Sequence, residues 1–244
     1  MVNVNFSSWS GQPIQANRPT YVITHGYRGS DRAQWSDSLA ATIDRQDPGS
    51  NIFITDWSES ANNFNYFNTV DDVDDVGDRM ANWLQENKVN PDTTQLIGYS
   101  LGAHVSGIAG DTYEDITGRS IATIVGLDPA GVGYESSWFS RGKSPADRLD
   151  STDAERVVAI HTSDFFGYDD PLGKLDLYVN EDSRFQPGKF GPAGNHSYAY
   201  ELYTDLVGGN SYKQNSSDVF SDGKLDYQDI FALSGTVDVA TTLG

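Results

Sequence analysis

The chain has 244 residues, 37% of them hydrophobic, enough for one large core without division into separate domains. Acidic residues outnumber basic ones 35 to 16, and the formal charge of −19 repels phosphate backbones and anionic membranes, so nucleic acid is excluded as a partner. The absence of cysteine removes disulfides, thiolate metal sites and a cysteine nucleophile.

In chain order, PTYVITHGY (19–27) reads as an apolar strand ending at a glycine. DRAQWSDSLAATIDRQ (31–46) reads as a helix, with Trp35, Leu39 and Ile43 spaced by four, and DPGS stops it. NIFITDW (51–57) is a second strand. Val73, Val76, Met80, Trp83 and Leu84 then draw one apolar stripe along a second helix. TQLIGYS (94–100), SIATIVGLDP (120–129), RVVAIHT (156–162) and LDLYV (175–179) read as further strands. Nearly continuous apolar strands separated by helices predict the α/β class, with a mainly parallel sheet covered on both faces. Chemistry in such sheets collects at the carboxyl ends of the strands. We place the main domain at 1–207 and a polar, glycine-rich extension at 208–244, packed on the same domain. No apolar run is long enough to span a bilayer, and MVNVNFSSWSGQ at the start lacks the features of a signal peptide. A soluble chain is expected, either cytosolic or secreted.

Gly98 and Gly102 flank Ser100 in a G-x-S-x-G pattern set between an apolar strand and a helical run. A sharp strand-to-helix turn needs residues without a β-carbon where backbones close in, and it lifts the serine oxygen above the sheet. A serine hydroxyl becomes a nucleophile only when a base takes its proton and an acid orients that base. In this type of turn the carboxylate and then the histidine follow the serine along the chain. Asp128, at the end of SIATIVGLDP, is the candidate carboxylate; Asp150, Asp153 and Asp164 sit in polar stretches and read as solvated or metal-binding acids. His25 precedes the serine and His104 follows it at once, which leaves His161 at a strand end and His196 after a glycine-rich turn. Periodicity slightly favours His196 and leaves the choice open.

Six stretches together resemble the pancreatic-lipase-type family: THGY (24–27), GYSLGAH (98–104), GLDPAG (126–131), RLDSTDAERVVAIHT (148–162), PLGKLDLYVNEDSRFQPG (171–188) and NHSYAYELY (195–203). The loop pattern is most similar to the lidless phospholipase A1 and galactolipase-like members. The resemblance implies an α/β-hydrolase fold and a triad of Ser100, Asp128 and His196, with His161 on a structural histidine. It also implies an oxyanion hole from the backbone N–H groups of Tyr27 and Leu101. A structural Ca²⁺ is implied, held by the carbonyls of Pro145 and Arg148 and the carboxylates of Asp150 and Asp153.

The implied activity is hydrolysis of an acyl lipid at a membrane or micelle interface, by a monomer that needs no colipase. Only seven residues, KFGPAGN, separate Gly188 from His196, so the family's lid is missing and polar lipids such as galactolipids or phospholipids are the expected substrates. A triacylglycerol lipase, a general esterase, or a lipid-binding protein on the same fold are the alternatives; retention of all three triad residues argues against the last. Trp138, Phe139, Phe165, Phe166 and Tyr168 are candidates for an acyl groove, or for core. In the tail, Asp218, Asp222, Gly223, Asp226 and Asp229 resemble half of an EF-hand loop, although Phe220 occupies a ligand position.

Overall fold

The computed structural model describes residues 2–31, 33–137, 140–181, 183–213 and 224–241. Its strands are β1 (Asn5–Ser8), β2 (Thr20–Thr24), β3 (Asn51–Asp56), β4 (Thr94–Tyr99), β5 (Thr123–Leu127), β6 (Ser136–Ser137), β7 (Ser140–Arg141), β8 (Arg156–His161), β9 (Leu175–Val179), β10 (Tyr212–Lys213), β11 (Lys224–Leu225) and β12 (Gly235–Val239). The helices are α1 (Gln34–Gln46), α2 (Ser58–Ala61), α3 (Tyr66–Glu86), α4 (Leu101–Thr117), α5 (Gly191–Val207) and α6 (Asp229–Ala232). Eight strands form one sheet in the order β1-β3-β2-β4-β5-β8-β9-β12. Within this sheet β1 runs antiparallel to its neighbour and the other pairings are parallel, while β6–β7 and β10–β11 form separate antiparallel pairs.

The period of two along each strand divides the core. Val22, Leu96, Ile124 and Val157 face α3 and α4, where Val73, Val76, Met80, Leu84, Val105 and Ile108 cover them. Ile23, Ile97, Val125 and Val158 face the other way, onto Leu39, Ile43, Leu202 and Tyr203 of α1 and α5. The central strands β2, β4, β5 and β8 therefore carry apolar residues on both faces because both faces are covered. Trp83, read as part of the buried stripe of α3, is only partly buried. It stacks on Phe6 of β1 at 4.5 Å and meets Phe53 of β3 at 4.8 Å, so it caps the sheet edge.

The chain steps from β2 out to β3, then crosses back to β4 on the other side of β2 before continuing outward. That reversal opens a crevice beyond the carboxyl ends of β2 and β4, the usual ligand position in such sheets. His25 to Tyr27 follow β2 there, and Ser100 follows β4.

Within the tail, β12 pairs in parallel with β9, and Arg156 of β8 donates to the carbonyls of Ile230 and Leu233. Asp226 and Asp229 bond each other within one turn, Asp226 N–H donating to Asp229 Oδ2 at 2.8 Å. Asp218, Phe220, Asp222 and Gly223 lie outside the described residues, as do Trp138 and Phe139.

His104 fastens α4 to the loops beside it. Its Nε2 donates to the Ala130 carbonyl at 2.8 Å, and its Nδ1 accepts from Leu149 N–H at 3.1 Å, so the ring is neutral. Complete burial pushes it down to about 3. The unfolded chain thus binds one more proton than the folded chain between about pH 6.5 and pH 3. Stability from His104 is complete above that window and falls as pH drops through it, by about 1.4 kcal/mol per pH unit. His104→Gln, whose amide offers one donor and one acceptor, should flatten the acid slope by roughly that amount between pH 6 and pH 4. Urea unfolding at three pH values checks this; an unchanged slope counts against it.

Candidate active site

The strand-to-helix turn at Ser100 is strained and tightly packed. Ser100 has φ 56° and ψ −121°, a conformation that L residues rarely adopt. A Cβ on Gly98 would lie 2.0 Å from the Gly102 carbonyl oxygen, and one on Gly102 would lie 2.4 Å from that of Thr24. No side chain fits at either position. The loop after β2 comes just as close, because a Cβ on Gly26 would be 2.7 Å from Ser100 Cβ. Trp57 Nε1 donates to the His25 carbonyl at 2.8 Å and Arg28 N–H to that of Ala61 at 2.8 Å, which anchors this loop over the serine.

Among the described residues, neither Tyr27 N–H nor Leu101 N–H donates to a backbone carbonyl. Leu101 is the first residue of α4, where N–H groups have no acceptor one turn earlier. Both are therefore without a backbone acceptor, Leu101 next to Ser100 at the start of α4 and Tyr27 next to Gly26 in the loop after β2.

Ser100 N–H donates to the Leu127 carbonyl at 3.0 Å, placing Asp128, the next residue of that chain segment, beside the serine turn. The Asp128 side chain is fully buried. Its Oδ1 accepts from Thr162 N–H at 2.6 Å and Ser163 N–H at 3.2 Å, and its Oδ2 meets His196 Nδ1 at 2.5 Å. Three donors thus satisfy one buried acid. With Nδ1 donating to Asp128, His196 keeps Nε2 free to accept a proton. Tyr99 lies against the imidazole at 4.7 Å and Phe166 at 5.6 Å.

His196 lies inside α5, which begins at Gly191, so most of the short segment that replaces a lid is helical. Asn195 holds that helix in place. Its carbonyl accepts from Thr162 Oγ1 at 2.8 Å, and its side chain bonds Gln186 N–H at 2.9 Å and the Arg184 carbonyl at 3.1 Å. Gln186 is buried and donates from Nε2 to the carbonyls of Thr162 and Val179 at 2.9 and 2.6 Å. It joins the ends of β8 and β9 to the entry of α5. Sequence reading missed this residue, since nothing in a polar stretch marks a glutamine as buried.

His161 is not part of this group. Its Nδ1 donates to the Tyr168 carbonyl at 2.9 Å, its Nε2 pairs with Asp176 Oδ1 at 3.0 Å, and it stacks on Tyr178. His25 is also buried, bonds its own loop at Gly26 and is pushed down by burial. Of the aromatic candidates, Phe166 faces His196, Phe165 is exposed, and Tyr168 is buried.

The oxygen-rich loop lies on the far side of α4. Asp150 Oδ1 accepts from Thr152 N–H and Oγ1 at 2.9 and 2.7 Å, and Asp153 Oδ2 accepts from Asp150 N–H at 2.7 Å. Asp153, expected to be solvated or metal-bound, is buried against Gly107, whose missing Cβ would lie 2.5 Å from Oδ2. Burial foremost, with Asp150 and Asp111 nearby, pushes its carboxyl up to about 8. Pro145 sits in a 3₁₀ turn and its carbonyl accepts from Arg148 N–H at 3.3 Å. Among the described residues no group of three or more His, Cys, Asp or Glu is placed to hold a metal. A cation here would rest on two carboxylates and backbone carbonyls, a donor set of oxygens alone that suits Ca²⁺. Asp164, read as solvated or metal-binding, is exposed and lines a surface groove.

A mainly parallel sheet with this strand order, a strained serine between β4 and α4, an acid after β5 and a histidine in α5 define an α/β-hydrolase fold. The chain belongs to the lipase family, whose model matches residues 4–192. Lipoprotein lipase from Rattus norvegicus is 34% identical over 179 residues, covering 69% of this chain and 35% of the relative. Lipase member H-B from Xenopus laevis is 36% identical over 183 residues, covering 72% and 37%. The chain thus spans about a third of the length of the curated relatives it matches. Among solved structures, Est1E from Butyrivibrio proteoclasticus with ferulic acid is 13% identical, covering 85% of this chain and 93% of that one at a TM-score of 0.46.

The strain at Ser100 predicts a trade between chemistry and stability. Backbone in this region costs a β-carbon-bearing residue about 1–3 kcal/mol, and glycine avoids most of it. Ser100→Gly should unfold at a free energy about 1 kcal/mol higher than Ser100→Ala. Denaturant melts of the two variants decide it, and equal stabilities would remove the strain argument.

Proposed function

We propose that this chain hydrolyses acyl ester bonds of polar glycerolipids, phospholipids or galactolipids, through a serine acyl-enzyme. The observation that carries the reading is the Asp128–His196 contact beside the strained serine: a buried acid holds Nδ1, and the imidazole packs on Tyr99, the residue before Ser100. Ser100 Oγ attacks the ester carbonyl while His196 Nε2 takes its proton. The carbonyl oxygen becomes an oxyanion facing the N–H groups of Tyr27 and Leu101, which are already in place and need no reorganisation. His196 returns the proton to the departing alcohol, leaving the acyl group on Ser100. Water then attacks the acyl-enzyme with His196 as base, and the fatty acid leaves.

The short stretch between Gly188 and His196, only seven residues and mostly within α5, supports polar head groups, since it leaves no length for an inserted lid there. A triacylglycerol lipase or a general esterase would use the same residues. The oxygen donors of Pro145, Arg148, Asp150 and Asp153 fit a structural Ca²⁺, which would supply charge to the buried Asp153 and so hold the loop against α4. Among the described residues no helix is long and apolar enough to cross a membrane, in keeping with peripheral action on lipid. We read the protein as a monomer that acts without colipase.

Hydrolysis of a short p-nitrophenyl ester should fall by about 10³-fold or more in Ser100→Ala, leaving background turnover. Equal rates in the two proteins would remove the enzyme reading and favour a lipid-binding role. A panel of phosphatidylcholine, digalactosyldiacylglycerol and triacylglycerol, scored by released fatty acid, should show the first two hydrolysed faster. Preference for triacylglycerol would contradict the head-group assignment.

Calcium at a hundredfold excess over its dissociation constant should stabilise the fold by about 3 kcal/mol, a midpoint shift that EGTA reverses. Asp150→Asn should abolish the shift, and a midpoint indifferent to both calcium and EGTA would dismiss the site.

A further inference from the structure

We propose that the mouth of this site is a permanent docking face for a zwitterionic phospholipid surface, built from two aromatic wings that flank the serine. The inference rests on the reading above that the substrate is a lipid ester. Six large apolar side chains are exposed on segments tied to the two sides of the site, five in loops and Phe67 in the first turn of α3: Phe64 (94% exposed), Phe67 (56%), Val132 (42%), Phe165 (68%), Phe185 (39%) and Phe190 (87%). Trp9 and Ile116 are the other two exposed large hydrophobics among the described residues, and both lie at the opposite end of the sheet. Trp9 bonds Ile52 at the start of β3, and Ile116 is in the last turn of α4. Exposed rings are concentrated where the serine is and not spread over the surface.

One wing rides on the loop that carries Tyr27. The Tyr27 hydroxyl donates to the Asn63 carbonyl at 3.0 Å, next to Phe64, and its ring meets Tyr66 edge-on at 5.0 Å. Tyr66 in turn donates to the Val132 carbonyl at 2.9 Å and touches Phe67. The other wing rides on the loops beside His196 and at the entry of α5. Phe165 packs edge-on against Phe166, which faces the imidazole. Phe165 and Phe185 line one surface groove of about 220 Å³, and Phe190 lies 6.2 Å from Phe185. Gly131 N–H donates to the Phe166 carbonyl at 2.9 Å, joining the Val132 loop to the second wing. The two wings therefore form one rim, and insertion of their rings would press the serine against the lipid.

Charge selects the surface. The Arg28 guanidinium lies 5.4 Å from the Tyr27 ring and that of Arg184 lies 5.2 Å from the Phe185 ring, one on each wing. Neither makes an ion pair among the described residues. A guanidinium beside an inserting ring meets lipid phosphate at the depth where phosphates lie. The net charge of −19 opposes an anionic surface as a whole. A phosphocholine surface offers phosphate to both arginines without that net repulsion. Because the rings are already exposed, no rearrangement is needed before docking.

The test is cosedimentation with phosphatidylcholine vesicles, carried out on the full chain bearing Ser100→Ala so that no lipid is consumed. Adding Phe64→Ser and Phe190→Ser together should weaken vesicle binding by about tenfold or more, since each ring loses most of its transfer from water. The same pair of changes in the chain with Ser100 intact should leave hydrolysis of a soluble p-nitrophenyl ester within about twofold, because neither ring touches the reacting groups. Unchanged vesicle binding, or tighter binding to phosphatidylglycerol than to phosphatidylcholine at equal salt, would overturn the proposal. So would loss of soluble-ester hydrolysis in step with vesicle binding. A chain that binds phosphatidylcholine through these rings yet cleaves no ester would retire the hydrolase reading and leave the docking face standing.

Discussion

Three backbones meet at the serine with no room for a β-carbon between them, and the rest of the site is arranged around that close approach. Gly98 and Gly102 let β4 turn into α4 over the end of β2, while Gly26 lets the next loop cross Ser100. The turn holds Ser100 in a conformation that would relax if the packing allowed it. The parallel sheet supplies the constraint, because β2 and β4 are neighbours in register and their following loops leave the sheet at the same level. Ser100 and the backbone N–H groups of Tyr27 and Leu101 are thereby placed by backbone alone, which is why glycine matters more here than any side chain around it.

The acid and the base depend on a second layer of contacts. Asp128 receives two N–H bonds from the end of β8 before it receives His196, so its orientation is set without the histidine. Asn195 and Gln186 tie the start of α5 to the ends of β8 and β9, and this fixes where His196 stands. The histidine thus stands on a helix that begins soon after Gly188, with its imidazole between Tyr99 and Phe166.

Much of this was legible in the sequence because it is local. The apolar strands, the stripe of α3, the glycines beside Ser100 and the position of Asp128 at a strand end are all read within short windows. What escaped is non-local. β1 has no apolar run, and β12 alternates polar and apolar residues inside a polar tail, so neither marks itself as part of an eight-stranded sheet. The burial of Asp153 under Gly107 depends on two segments far apart in the chain. The N–H cradle around Asp128 belongs to backbone, on which side-chain identity is silent. His161 and His196 show the same limit: each follows or adjoins a strand or helix end, and only their partners separate them.

The central claim is that Ser100 is a nucleophile activated by His196. Mass spectrometry after treatment with diethyl p-nitrophenyl phosphate tests it most directly, because the reagent leaves a stable phosphoryl group on an activated serine. The account predicts one diethylphosphoryl adduct on the peptide containing Ser100, present in His161→Ala and absent in His196→Ala. An adduct on another residue, or labelling of Ser100 that survives His196→Ala and is lost in His161→Ala, would contradict it.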